Sequence, residues 1–238
     1  MTNTYLSLGG SLTVSNVSSF MPLPSISGLT AWFRSDLGVV STGGIVSAWK
    51  DQSGLAQNVS SVGPNILFSG TGGAKNLPYL SFNDSELQGA FAFPGGTNSQ
   101  ENFIICSYTS LPGNAYLIDF GSNKEITLLY GTQGQVDIYN GNFVGSTTMV
   151  PANTPFVADS IWSNGGASDS ISLNGATPSV GSAGGFAIST QLTIGNFGSG
   201  SNGIIGAMYE VIIFDRILLS SERNTILNYI TARYGFAT

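Results

Sequence analysis

The apolar residues of this chain come in short alternating runs, and only one stretch carries the spacing of a helix. Runs at 29–34, 45–50, 78–82, 102–108, 115–120, 126–130, 135–139, 155–162, 170–173, 191–194 and 204–214 are divided by Gly, Asn, Asp, Ser and Pro. That pattern predicts β-strands joined by turns. Asn140-Gly141 and Asn174-Gly175 are hairpin signals, because both residues accept positive φ in a tight turn. The exception is the last element. There Ile226, Leu227, Ile230 and Tyr234 share one helical face, Ser220 or Ser221 can cap it, and Gly235 suits a left-handed stop. A chain of 238 residues built this way can bury one large core, and two antiparallel sheets packed face to face do so most simply.

The opening of the chain is different. Arg34 is the first charged residue, so thirty-three uncharged residues come first. Within them Tyr5, Leu6, Leu8, Leu12, Val14, Val17, Phe20, Met21 and Leu23 recur between Gly9-Gly10, Pro22 and Pro24, which reads as an extended arm over residues 1–27. An uncharged apolar arm is an aggregation hazard in water unless something shelters it. Its own domain or a neighbouring subunit is expected to hold it, and these nine residues form the candidate partner-binding set. Elsewhere charge is scarce: 8% of residues, with a net charge of −6. The exterior must be polar but neutral. With seven scattered basic residues there is no cationic track for phosphates, and nucleic acid is not an expected partner. The start lacks a basic stretch followed by a continuous apolar one, so no secretory signal is expected. No run reaches the ~18 apolar residues of a membrane span, and no membrane is expected as a partner. The single cysteine, Cys106, lies in an apolar run and reads as a small buried hydrophobe.

Histidine is absent. That removes Ser-His and Cys-His catalysis and His-ligated zinc. Gly198, Gly200 and Gly203 spell a Gly-x-Gly-x-x-Gly string, but it precedes a strand rather than opening a helix, so it reads as a loop and not a dinucleotide site. Asp51, Asp84, Asp119 and Asp169 stand near strand ends. Calcium requires six to eight oxygens, and acids this thinly spread read better as turn caps. No catalytic residue, metal or cofactor is expected. For a sugar, an aromatic platform beside amide and backbone donors is required. Trp162 with Ser163 and Asn164 at a strand end is one candidate, with burial of Trp162 in the core as the competing reading. Phe197 in its Gly-rich loop is the other.

Four segments, in order, carry a resemblance. They are Leu29-Thr30-Ala31-Trp32-Phe33-Arg34-Ser35-Asp36; Val46-Ser47-Ala48-Trp49-Lys50-Asp51-Gln52-Ser53-Gly54; Leu77-Pro78-Tyr79-Leu80-Ser81-Phe82-Asn83-Asp84; and IIGAMYEVIIFDR with LSSERNTILNYITARYG over 204–235. Together they resemble the concanavalin A-like, laminin-G-like jelly-roll superfamily of the kind found in bacteriophage virion proteins, with Asp84 where that family usually has Gly. The resemblance covers residues 29–238. It implies an all-β, two-sheet antiparallel jelly-roll sandwich over residues 28–238, with one C-terminal α-helix. Trp32 and Trp49 are expected to fill the space between sheets, and Glu210 to pair with Arg34 or Arg216. Jelly-roll glucanases carry Glu-x-Asp-x-x-Glu on one strand, and no such run exists here; Asp84-Ser85-Glu86 is the nearest pair. The expected role is a non-enzymatic virion structural protein, a capsid decoration or particle-surface component anchored through its arm. Its partners would be the major capsid protein or neighbouring copies, in a homo-oligomer such as a trimer, and its place the virion. A glycan-binding adhesin, meeting host glycans, is the alternative.

Overall fold

The computed structural model describes residues 21–93, 99–111, 113–121, 126–163, 165–184, 190–197 and 202–236. The first strands are β1 (Leu29–Arg34), β2 (Val39–Thr42), β3 (Ile45–Trp49), β4 (Val59–Val62), β5 (Leu67–Ser69) and β6 (Tyr79–Asn83). Next come β7 (Glu86–Ala90), β8 (Gln100–Ser110), β9 (Ala115–Asp119), β10 (Ile126–Tyr130), β11 (Gln135–Tyr139) and β12 (Phe143–Met149). The last are β13 (Phe156–Trp162), β14 (Asp169–Leu173), β15 (Ser179–Gly181), β16 (Gln191–Ile194) and β17 (Ile205–Phe214), followed by helix α1 (Ser220–Tyr234). The expected all-β chain with one C-terminal helix is what forms.

All strand pairs are antiparallel. One run goes β5–β6–β17–β8–β13–β14–β15, with β1 beside the second half of β17. The other goes β2–β3–β4–β7–β16–β9–β10–β11–β12. Because β3 also pairs with β5 through Ile45 and Leu67, the two runs are one continuous ladder rather than two separately bonded sheets. At the far end β12 lies against β15, so the ladder nearly closes on itself like a barrel. Inside it Phe33, Trp49, Phe82, Ile104, Phe120, Leu129, Phe156, Trp162 and Ile213 pack as one core, with Cys106 among them.

A second apolar cluster lies on the outer face of β1, β17 and β8, under α1. It joins Trp32, Phe103, Ile105, Ile212 and Phe214 to Ile226, Leu227, Tyr229, Ile230 and Tyr234. Trp32 therefore fills the space beneath the helix; of the two tryptophans expected between the sheets, Trp49 alone enters the main core. The phase of β17 explains why. Its register to β8 shifts between Met208 and Glu210, and such a bulge turns two successive residues to one side. Tyr209 and Glu210 both face the helix.

Glu210 is fully buried. Its oxygens accept from Trp32 Nε1 at 2.6 Å, Tyr229 Oη at 2.8 Å and Tyr234 Oη at 2.7 Å, with Arg233 Nε at 3.9 Å. The expected pairing with Arg34 or Arg216 does not occur. Arg34 bonds Asp36 at 2.6 Å, and Arg216 clamps Glu222 through 2.7 and 2.8 Å contacts. Neither serine caps the helix: the N-cap is Leu219, whose N–H donates to Glu222 at 2.9 Å. At the other end Gly235 takes the left-handed conformation at φ 82°, as the sequence predicts. Met21, Leu23 and Ile26 pack against the helix-side cluster, and the Met21 carbonyl accepts from Arg34 Nη1. The last residues of the stretch read as an arm are thus attached to the body.

Burial pushes the Glu210 carboxyl up in pKa, while the three donors and Arg233 pull it down. Losing one donor leaves a buried acceptor short, which costs about 1–3 kcal/mol. Tyr234→Phe is expected to lower unfolding stability by about that amount in urea at neutral pH; an unchanged midpoint would contradict the role given to this bond.

Candidate functional site

Side chains alternate across a strand. On β9 to β12 the inward set, Ala115, Leu117, Leu129, Val136, Ile138 and Val144, belongs to the core. The outward set is Tyr116, Leu128, Tyr130, Gln135, Asp137, Tyr139, Phe143 and Gly145, which the register places side by side: Leu128 opposite Tyr116 and Asp137, Tyr139 opposite Phe143, Gly145 opposite Asp137. Four of these eight are aromatic. Phe143 lies 4.6 Å from Tyr139 and 4.9 Å from Tyr130, centroid to centroid, and Tyr116 lies 5.0 Å from Phe197. Phe143 and Tyr130 remain 49% and 43% exposed; Tyr116, Tyr139 and Phe197 are half-buried. The rings form an open aromatic surface.

Polar groups sit within it. A Cβ on Gly145 would fall 2.1 Å from Gln135 Nε2 and 2.5 Å from Asp137 Oδ1, so the absent side chain is what lets these two lean across the sheet. Asp137 is 3% exposed, and among the described residues its Oδ1 has no hydrogen-bond partner. Burial raises its pKa to about 6, against a smaller pull from Gln135. The Tyr116 phenol is also raised, by burial first and then by the charges of Asp119 and Tyr139. Asp137 Oδ1 is sealed from solvent, so a ligand laid with its flat C–H face on the rings would meet the half-buried Gln135 rather than that oxygen.

The structure distributes the other sequence candidates as follows. Phe197 joins the aromatic surface. Trp162 is fully buried in the core, opposite Gln100, and among the described residues its indole N–H has no partner; no ring face is open to a sugar, because the inward phase of β13 turns it to the interior. Asn164 and residues Tyr5, Leu6, Leu8, Leu12, Val14, Val17 and Phe20 lie outside the described residues. Met21 and Leu23 meet α1, as above. Three of the four acids considered for calcium bind the backbone instead. Asp51 accepts from the amides of Trp32, Ser53 and Gln57, Asp84 from Gly203, and Asp169 from Ser163 and Ala183. Among the described residues no three His, Cys, Asp or Glu groups are placed to hold a metal. Tyr116, Tyr130, Tyr139, Phe143 and Asp137 escape sequence reasoning, because alternating aromatics in a strand read the same whichever face they occupy.

No family model matches the sequence, and no curated protein matches it. Solved structures do share the fold. A Trypanosoma rangeli sialidase in complex with sialic acid superposes with a TM-score of 0.59 at 17% identity, over 87% of this chain and 33% of that one. Domain 4 of a GH43 extracellular arabinanase from Geobacillus stearothermophilus, in complex with arabinotriose, gives 0.61 at 12% identity, over 84% and 97%. The binding domain of botulinum neurotoxin DC, in complex with SialylT, gives 0.58 at 13%, over 85% and 51%. The chain spans about a third of the sialidase and nearly all of the arabinanase domain. At these identities the likeness is one of fold.

Asp137 has a clear pH signature. A carboxyl whose folded pKa is raised, here from 3.8 to about 6, favours the folded state below about pH 4, and that contribution is lost as pH rises through 6. Asp137→Asn is expected to be more stable than the parent chain by about 1–2 kcal/mol at pH 7, with the gap closing by pH 4. Thermal melting across pH 4–7 measures this; a gap independent of pH would contradict it.

Proposed function

We propose that the chain is a concanavalin A-like module of the adhesin type, binding an extended neutral oligosaccharide on the outer face of β9 to β12 without catalysis. The observation that carries this reading is the set of aromatic rings on this face, Tyr130, Phe143 and Tyr139 in one group and Tyr116 with Phe197 in another. Sugars present apolar C–H faces and hydroxyl edges, and this face offers a match for each. The rings remove apolar area from water, at about 25 cal/mol per Å², while the Gln135 amide and the tyrosine hydroxyls can bond the hydroxyl edges. That an arabinanase domain of this fold is a complex with arabinotriose, and a sialidase that shares it over a third of its length a complex with sialic acid, supports a carbohydrate as the ligand class. Binding rather than catalysis is favoured by the absence of histidine and of a Glu-x-Asp-x-x-Glu run.

The particle-surface role enters as the setting for such a module. An uncharged apolar leader and a charge-poor sequence favour attachment to a larger assembly such as a virion, with copies of this chain or a major capsid protein as neighbours. Attachment that survives removal of residues 1–20 would argue against that setting and leave the glycan face untouched.

The direct test is a glycan array followed by calorimetry on any ligand found. Tyr139→Ala and Phe143→Ala are each expected to weaken binding about ten-fold or more, which is about 1.4 kcal/mol, with folding intact. Retention of full affinity in the double variant would overturn the proposal.

A further inference from the structure

The outer face of β6, β17 and β8, on the other run of the ladder, is divided in two. α1 covers the half that carries Phe103, Ile212 and Phe214. The half beyond Tyr209 is an open groove of about 430 Å³, within the range of about 300–1,000 Å³ that small-ligand sites occupy. Register sets its floor, since Ala207 faces Ser107 on one neighbouring strand and Ser81 on the other.

Tyr79 and Tyr209 form one wall, their rings 6.2 Å apart and tilted by 56°. They are held there by the turn at 72–76. A Cβ on Gly73 would come within 2.7 Å of the Tyr209 ring and 3.2 Å of the Tyr79 ring, so only glycine lets the backbone lie against both. Tyr209 is buried, with its hydroxyl 3.3 Å from Ser107 Oγ, whereas Tyr79 is half-exposed. Across the groove Asn83, Thr109 and Asn153 are exposed. Thr109 Oγ1 donates to the Ile205 carbonyl at 3.0 Å, which fixes the hydroxyl and leaves it an acceptor toward the groove.

Among the described residues no side chain lining this groove is charged. A charged ligand would therefore lose water without gaining a counter-charge. Hydroxyls and amides both donate and accept, so the lining can match a ligand that carries many hydroxyls and no net charge, with an apolar face for the tyrosines. We propose that this groove is a second, independent site for a neutral sugar unit, so that one chain holds two glycan segments on opposite outer faces of its ladder. The two sites differ in chemistry: the β9 to β12 face has a carboxyl group among its rings, and the groove has none.

The test titrates the full chain by calorimetry with cellohexaose and with mannohexaose, in parallel with Ser81→Trp, which fills the floor, and Phe143→Ala, which strips the aromatic face. Asn83→Trp, at an exposed position, serves if Ser81→Trp fails to fold. The expected result is two sites on the parent chain for at least one sugar, one site in each single variant, and none when the variants are combined. One site on the parent chain, lost in Phe143→Ala and unaffected by Ser81→Trp, overturns the groove and leaves the aromatic face standing. One site lost only in Ser81→Trp supports the groove and removes the aromatic face. Binding of neither sugar by the parent chain overturns the groove as a neutral-sugar site, while the array decides the aromatic face separately.

Discussion

The arrangement of this molecule depends on how one carboxylate is buried. Glu210 has no contact with water, and burying a charge or a polar group without partners is costly. Three neutral donors meet it, from Trp32 on β1 and from Tyr229 and Tyr234 on α1, with Arg233 close by. Those residues come from opposite ends of the chain, so satisfying Glu210 requires β1, β17 and the helix to be assembled together. Arg233 reaches Asp36 at 2.8 Å, and Asp36 reaches Arg34, which extends the network to the root of the N-terminal stretch at Met21. Near the start of the helix Glu101, fully buried on β8, binds Arg223 at 2.7 Å and the Leu218 amide at 2.8 Å. The helix is held to its sheet face at both ends.

That placement decides which surfaces remain available. By covering half the outer face of β17 and β8, α1 leaves the Tyr79–Tyr209 groove at its border. Among the described residues no helix covers the outer face of β9 to β12, and the aromatic rings stand on that face. A chain with so few charges has limited means of recognition. Hydroxyl, amide and aromatic groups dominate what it can present, and those groups suit neutral polyhydroxylated ligands better than phosphates or polyelectrolytes.

Much of the fold was legible in the sequence, and the omissions have physical causes. β1, β10, β11 and β16 match their expected spans, because their alternation or apolar content is strong. β2, β4, β5 and β15 do not announce themselves, since they are three or four residues long and almost wholly exposed or half-buried, and β12 reads Phe-Val-Gly-Ser-Thr-Thr-Met with little apolar contrast. The Asn174-Gly175 turn was legible: both residues have positive φ, and the Ala176 amide closes on the Leu173 carbonyl at 2.9 Å. Asp51 was legible as a loop clasp, whereas the partners of Glu210 were not, because a bulge at Tyr209 changes which face the strand presents and no sequence rule locates it. The candidate site divides the same way. Phe197 stood out in its glycine-rich loop, but Tyr139 and Phe143 became neighbours only once the register of β11 and β12 was known.

The most direct measurement of the central claim, that the aromatic outer face of β9 to β12 is where glycan binds, is amide and aromatic NMR shift mapping of the full chain during titration with a bound oligosaccharide. The largest changes are expected at Tyr116, Asp137, Tyr139, Phe143 and Phe197. Saturable binding that leaves those five resonances unmoved would contradict it.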